Sequence, residues 1–274
     1  MDFQARLDRL VDDHPVVRSN PYTRWFARGE ASQEEVARFT KEFSVFSHEF
    51  IVAALRRVLE APDLEAYHAG KEILLNELGV AFRPAGSTST ATGPDEVSPT
   101  GTVEGSPYRH ASAHFEWLVK FAAPLGLGFA DMGKRRHGSP STRAFCATLQ
   151  DLYGSEDQNL AAGASYATEH WAAAGFWKEL IAGLEAFKRR SGLPLNLGFW
   201  VFHDRLEQQH ADHTTEELNE TRGQPGFNEE AFLDGAKRML DAIQAFWEGL
   251  AAARLVAVAA SPATRPSLRP AAIG

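Results

Sequence analysis

The stretch 199–213, FWVFHDRLEQQHADH, carries the residues with the clearest metal-binding chemistry. His203, Glu207 and His210 follow the spacing H-x3-E-x2-H. On an α-helix these three positions fall within an arc of about 60°, so their side chains point into one volume. Neutral imidazole and carboxylate groups are ligands for iron, manganese and zinc. The spacing therefore predicts a metal site, and the alternative is an exposed polar face of a helix.

Three further residues with ligand chemistry lie on apolar helix faces. Glu169 lies mid-helix in YATEHWAAAGF, where a carboxylate must be paired, protonated or bound to metal if it is buried. Glu77 closes a helix, and His114 precedes the apolar run FEWLVKF. Each has an ordinary alternative: Glu169 could be a surface acid, Glu77 an acid at a helix end, and His114 a core histidine. His110 competes with His114.

The elements that must position these residues are predicted to be helices. Ser32 and Glu35 form a capping-box pattern, and strand patterns are scarce. The segment 85–107 is rich in Gly, Ser, Thr and Pro, which predicts a mobile loop. We expect one helical domain over 1–254, a disordered tail over 255–274, and only two or three helices before position 84. The predicted helices span about 32–60, 64–79, 108–123, 141–153, 156–190, 195–222 and 228–254.

Composition limits the functional class. The 274 residues include 28 Lys and Arg against 36 Asp and Glu, and the net charge of −8 disfavours binding to nucleic acid or anionic lipid. No apolar run is long enough to span a membrane, and the N-terminus lacks the apolar core of a secretory signal, so we expect a cytoplasmic protein. The single cysteine, Cys146, excludes an intramolecular disulfide and a cysteine-based zinc site.

A metal site built from four helices is typical of dinuclear carboxylate proteins. The ferritin-like version needs two paired E-x2-H motifs, and Glu207–His210 and Glu65–His68 do not form such a pair. The sequence instead resembles the haem-oxygenase-like diiron oxidases and oxygenases, which are related to the TenA/PqqC-like and CADD-like proteins. The resemblance covers about 14–220, through NELG, HFEWLVKFAAPLGL, YATEHWA and FHDRLEQQH. Glutamate replaces the more usual aspartate in the last motif.

The resemblance implies an all-α bundle of about seven core helices and a site for two iron ions that activate O2. In this assignment Glu77, His114 and His203 bind one ion. Glu169, Glu207 and His210 bind the other, with Glu169 or Glu207 as a bridge. Glu104, ten residues before His114, matches a further acid found in many members.

The activity implied is oxidation of a small organic molecule. Three subtypes are open: amine N-oxygenation, amino-acid C–C cleavage and oxidative decarboxylation. Besides the small-molecule substrate, an external electron donor and a second copy in a homodimer are candidate partners. The residues expected to line an apolar substrate pocket are Trp117, Tyr166, Phe176, Trp177, Phe199 and Trp200.

Three alternatives stay open. The first is a metal-independent enzyme of the same fold, either thiaminase II-like or PqqC-like. A thiaminase needs a nucleophilic cysteine, whereas the apolar neighbours of Cys146 predict a buried, inert thiol. The second is a haem protein with His14 or His48 as axial ligand. The third is a non-enzymatic helical interaction protein.

Overall fold

A computed structural model describes the backbone of residues 2–82, 108–110 and 112–260. It describes the side chains of the same residues except 81, 82, 108–110, 206–210, 213 and 258–260. Within this part the chain forms eleven α-helices, one pair of short strands and three single 3-10 turns.

The first half of the described chain contains five helices and the two strands. Proline at the first position and a polar N-cap open the two shortest helices, with His14 capping α2 and Asn20 capping α3. Ser32 and Glu35 form the complete capping box that opens α4. The elements are α1 (Phe3–Asp12), α2 (Pro15–Arg18), α3 (Pro21–Ala27), α4 (Gln33–Leu59), α5 (Leu64–Glu77), β1 (Val80–Phe82) and β2 (Tyr108–His110).

The second half is helical. After α6 (His114–Ala122) the chain makes the 3-10 turns Ala123–Leu125, Phe129–Asp131 and Arg135–His137. The remaining helices are α7 (Pro140–Tyr153), α8 (Gln158–Ala173), α9 (Phe176–Ser191), α10 (Gly198–Thr221) and α11 (Glu229–Ala260). None of the helices described is long and apolar enough to cross a membrane.

Helix α8 lies at the centre of the packing, between α10 and α11. Helix α7 packs on α4 and α11, and α5 packs on α4. One apolar core joins these helices, apart from α5, and contains residues from Phe3 in α1 to Leu250 in α11. Phe39, Trp200 and Trp247 are buried in this core. The Phe39 ring stacks on Trp200 at a centroid distance of 5.5 Å and on Trp247 at 6.3 Å.

Four helix predictions differ from the structure. The predicted helix 156–190 is two helices, because Gly175 at φ 97° turns the chain between α8 and α9. Residues 108–110 pair with β1 as a strand rather than starting a helix. Five helices, not two or three, precede position 84. The last helix continues to Ala260, so 255–260 are helical. The rest of the predicted tail, 261–274, and the predicted loop at 85–107 lie outside the described residues.

Candidate metal centre

Three of the predicted ligands meet at one point between helices. Glu77 is the last residue of α5, His114 is the first residue of α6, and His203 lies in the second turn of α10. One ligand atom from each lies within 4.8 Å of the other two. It is the one such group of His, Cys, Asp or Glu among the side chains that the structure describes. A single cation could contact all three.

His114 is buried, with 5% of its surface exposed, and approaches Glu77 closely. Its Nδ1 atom lies 3.1 Å from the Glu77 Oε2 atom. The direction of approach does not make a hydrogen bond, and this buried nitrogen has no hydrogen-bond partner among the described residues. An imidazole nitrogen and a carboxylate oxygen placed side by side in this way suit ligands that share a cation.

His203 has a fixed tautomer. Its Nδ1 atom lies 2.7 Å from the carbonyl oxygen of Phe199, which can only accept, so Nδ1 carries the proton. The lone pair is therefore on Nε2, the nitrogen that can bind metal. A ligating histidine usually donates its other N–H to a carbonyl or carboxylate, which orients the ring and raises its basicity.

Aromatic packing holds both imidazole rings in place. The His203 ring stacks on Trp177 at 5.0 Å and contacts Phe199 at 4.3 Å. The His114 ring contacts Phe202 at 4.9 Å and meets His203 nearly at right angles, at 5.1 Å. These contacts order both rings, which favours metal binding because little further side-chain order must be gained.

Glu77, His114 and His203, together called the metal group, line a cavity of about 380 Å³. Glu169, in the middle of α8, lines the same cavity but is not one of the three grouped ligands. Next to it, His170 is turned away: its Nδ1 lies 2.9 Å from the Tyr166 carbonyl oxygen, and burial lowers its pKa. Of these two neighbours, Glu169 belongs to the cavity wall and His170 belongs to the packing of α8.

The side chains of the remaining predicted ligands lie outside the described residues. Helix α10 continues without interruption through positions 207 and 210, so both positions lie on the face of the helix that carries His203. The side chains of Glu207 and His210 lie outside the described residues, as does that of His110. Glu104 lies outside them altogether.

Of the predicted pocket residues, Phe199 and Trp177 line the cavity, whereas four others do not. Tyr166 stacks on His170 at 3.7 Å and contacts Phe232 of α11, because it lies on the far side of α8. Phe176 stacks on Trp171 at 4.4 Å, behind the cavity wall. Trp117 packs behind His114, and Trp200 is fully buried in the core.

Several cavity residues were not predicted. They include five aromatic rings from α4, α8 and α10: Phe43, Phe46, Phe50, Trp171 and Phe202. Glu72 and Glu217 add carboxylates, and Arg57 adds a guanidinium. The helical spacing of 43, 46, 50 and 57 on α4 is visible in the sequence, but it does not tell a cavity face from a core face.

The residues that the alternatives depend on lie elsewhere. Cys146 is buried in α7 and does not line the cavity; burial raises the pKa of its thiol to about 12. His14 caps α2 through Nδ1, and its Nε2 lies 3.3 Å from Asp241. His48 packs on Phe115 at 4.4 Å. The structure therefore gives no nucleophilic cysteine at the cavity, and neither His14 nor His48 lines it.

No protein-family model matches the chain, and no curated protein sequence matches it. Three solved structures resemble it over nearly its whole length. A CADD-like protein of unknown function from Nostoc punctiforme matches with a TM-score of 0.62 and 17% identity, over 93% of this chain and 95% of that chain.

A domain of unknown function with a heme oxygenase-like fold, from Shewanella denitrificans, matches with a TM-score of 0.61 and 14% identity, over 96% of this chain and 97% of that chain. A TenA homologue from Pseudomonas syringae pv. tomato gives 0.61 and 13%, over 91% and 93%. Identities this low show the fold alone. The chain is an all-α protein with the haem-oxygenase-like fold.

Proposed function

We propose that this protein is a non-haem diiron oxidase or oxygenase that uses O2 to oxidise a small organic substrate. The observation that carries the proposal is the group Glu77, His114 and His203, whose ligand atoms lie within 4.8 Å of one another in the wall of a cavity. Nitrogen and oxygen donors of this kind suit iron, and the absence of cysteine from the group disfavours a structural zinc site.

Each ligand has a role in the proposed site. Glu77, His114 and His203 hold one ion. Glu169, from α8, is placed to reach a second ion in the same cavity. Positions 207 and 210 follow 203 on one face of α10, which supports Glu207 and His210 as the other ligands of that ion.

Bound iron supplies the electrons that O2 needs before it can react with an organic molecule. The residues of the chain provide what surrounds that chemistry. The carboxylates of Glu77 and Glu169 offset the charge of the cations. The Phe199 carbonyl keeps the proton of His203 on Nδ1, so Nε2 stays a ligand nitrogen.

The aromatic wall has a second role. Phe43, Trp177 and Phe199 contact one another at 5.7 to 6.3 Å and form an apolar surface beside His203. An apolar substrate portion can bind there. These features suit amine N-oxygenation, amino-acid C–C cleavage and oxidative decarboxylation alike.

Anaerobic iron loading tests the proposal. The full chain is incubated with Fe(II), desalted without oxygen and assayed for iron per chain. We expect about two iron ions in the wild type. His203→Ala and His114→Ala should lose at least half, because the group Glu77, His114 and His203 then lacks a ligand.

The matched control is His68→Ala. His68 lies on α5, the helix that carries Glu77, but its side chain is exposed and not part of the group. This variant should retain the wild-type iron content. If the wild type holds no more iron than His203→Ala, the proposed function is wrong.

A further inference from the structure

The cavity that contains the metal group also contains an arginine. Arg57, near the end of α4, lines it together with Glu217 of α10. Among the described residues of the cavity wall, Arg57 is the only one with a guanidinium or ammonium group. Arg57 and Glu217 also line an adjoining cavity of about 320 Å³, which the metal group does not reach. The pair therefore lies at the boundary between the two cavities.

Helix geometry gives the separation between this pair and the metal group. Glu217 follows His203 by 14 positions on α10, which corresponds to about 21 Å along the helix axis. Arg57 follows Phe43 by the same number on α4, and Phe43 packs on Phe199 and Trp177 beside His203. The metal group and the Arg57 cation thus line different parts of the same cavity.

Arg57 and Glu217 are held to different degrees. The Arg57 Nη1 group donates to the Ser165 hydroxyl at 2.6 Å, and Ser165 is buried in α8. The Nη2 group lies 3.2 and 3.3 Å from the two carboxylate oxygens of Glu217. The Glu217 side chain is 36% exposed against 21% for Arg57. Arg57 is therefore anchored, and Glu217 can turn into the adjoining cavity.

We propose that Arg57 binds the carboxylate of an elongated, amphiphilic substrate, in place of Glu217. A guanidinium offers a planar fork of N–H donors that matches two carboxylate oxygens. The apolar part of the substrate then lies along the aromatic wall, with its far end towards Glu77, His114 and His203. That this far end is the one oxidised rests on the proposed function; the binding of the carboxylate does not.

Calorimetric titration of the full chain tests the proposal with three probes of equal length: 6-phenylhexanoate, its neutral amide and the corresponding amine. We expect the wild type to bind the acid more tightly than the amide or the amine. Arg57→Gln should weaken binding of the acid by about tenfold or more, because the charge-assisted hydrogen bonds are lost. Glu217→Gln should strengthen it, because the competing carboxylate is removed.

Arg56→Gln is the matched control. Arg56 is the neighbouring residue on α4, but it contacts Asp151 of α7 and does not line the cavity, so acid binding should be unchanged. Circular dichroism checks that each variant is folded. If Arg57→Gln does not fold, Glu217→Gln decides the test, because it should strengthen acid binding.

The proposal is overturned if the acid binds Arg57→Gln as well as wild type, if no probe binds, or if the amine binds best and Glu217→Gln abolishes its binding. All titrations are made without metal and repeated after anaerobic loading with Fe(II). Acid binding without iron uptake would disprove the proposed function and leave the role of Arg57 intact. Iron uptake without acid binding would do the reverse.

Discussion

His114 and His203 are positioned in different ways, although their side chains are identical. The Nδ1–H group of His203 donates a hydrogen bond to a backbone carbonyl within its own helix, so α10 alone fixes its tautomer. His114 starts α6 and has its Nδ1 against the Glu77 carboxylate of another helix. The tautomer of His203 is therefore set within one helix, whereas the contact of His114 with Glu77 depends on how α5 and α6 meet.

Cys146 provides a prediction at the same scale. Burial raises its pKa to about 12, so at pH 8 only about one thiol in ten thousand is the reactive thiolate. We expect no stoichiometric reaction with Ellman's reagent in the native protein at pH 7 to 9, and one thiol per chain after denaturation in guanidinium. Fast reaction of the native protein would show an accessible thiolate and would restore the cysteine-dependent alternative.

Residue type and spacing selected Glu77, His114 and His203, because polar side chains with ligand atoms are uncommon on apolar helix faces, and the structure brings the three together. The same reasoning failed for Tyr166 and Phe176. An aromatic ring suits a cavity wall and a packed core equally, and only the neighbouring helices decide which it meets. Arg57 gave no signal, since its significance lies in Ser165 and Glu217, which are more than a hundred positions away in the sequence.

At the scale of elements, the crossing of α8 and α11 depends on two glycines. A Cβ atom at Gly163 would overlap the backbone carbonyl of Phe232, and one at Gly235 would overlap that of Leu160. Each helix thus presents a glycine to the backbone of the other. This close approach brings α8, with Ser165 and Glu169, into its place beside the cavity.

We expect Gly163→Ala to lower the free energy of unfolding by about 2 kcal/mol or more, because backbone atoms cannot move aside as side chains can. Urea unfolding followed by circular dichroism measures the change. Gly223→Ala is the control: a Cβ atom at position 223 would have no other atom within 4 Å, so its effect should stay within about 0.5 kcal/mol. Equal stability of both variants would contradict the close approach.

Helix boundaries were predictable where the sequence contains a clear N-cap, as at Ser32. They were not predictable where a single glycine turns the chain. Gly175 separates α8 from α9 without a proline, and the alanines before it favour a continuous helix. Strands β1 and β2 are three residues each and have no alternating pattern. Their pairing joins positions about thirty residues apart, which local sequence cannot reveal.

For the whole molecule, the grouped ligands come from α5, α6 and α10, so a bound ion would link three helices that are distant in sequence. An ion that binds only the folded chain adds about 2.7 kcal/mol at a hundred times its Kd. We expect Fe(II), added anaerobically, to raise Tm by about 5 °C or more in scanning calorimetry. His114→Ala should show little change and His68→Ala the full rise. An equal rise in His114→Ala would place the ion elsewhere.

The strand pair has a consequence for how this site can evolve. Strand β1 begins three positions after Glu77, and β2 ends four positions before His114, with Val80 opposite His110. The ends of the intervening segment are thus joined next to the two ligands. Loop-closure entropy grows only slowly with length, and the strands, not the segment, bring Glu77 to His114. The length of the chain between positions 83 and 107 can therefore change in evolution without separating Glu77 from His114.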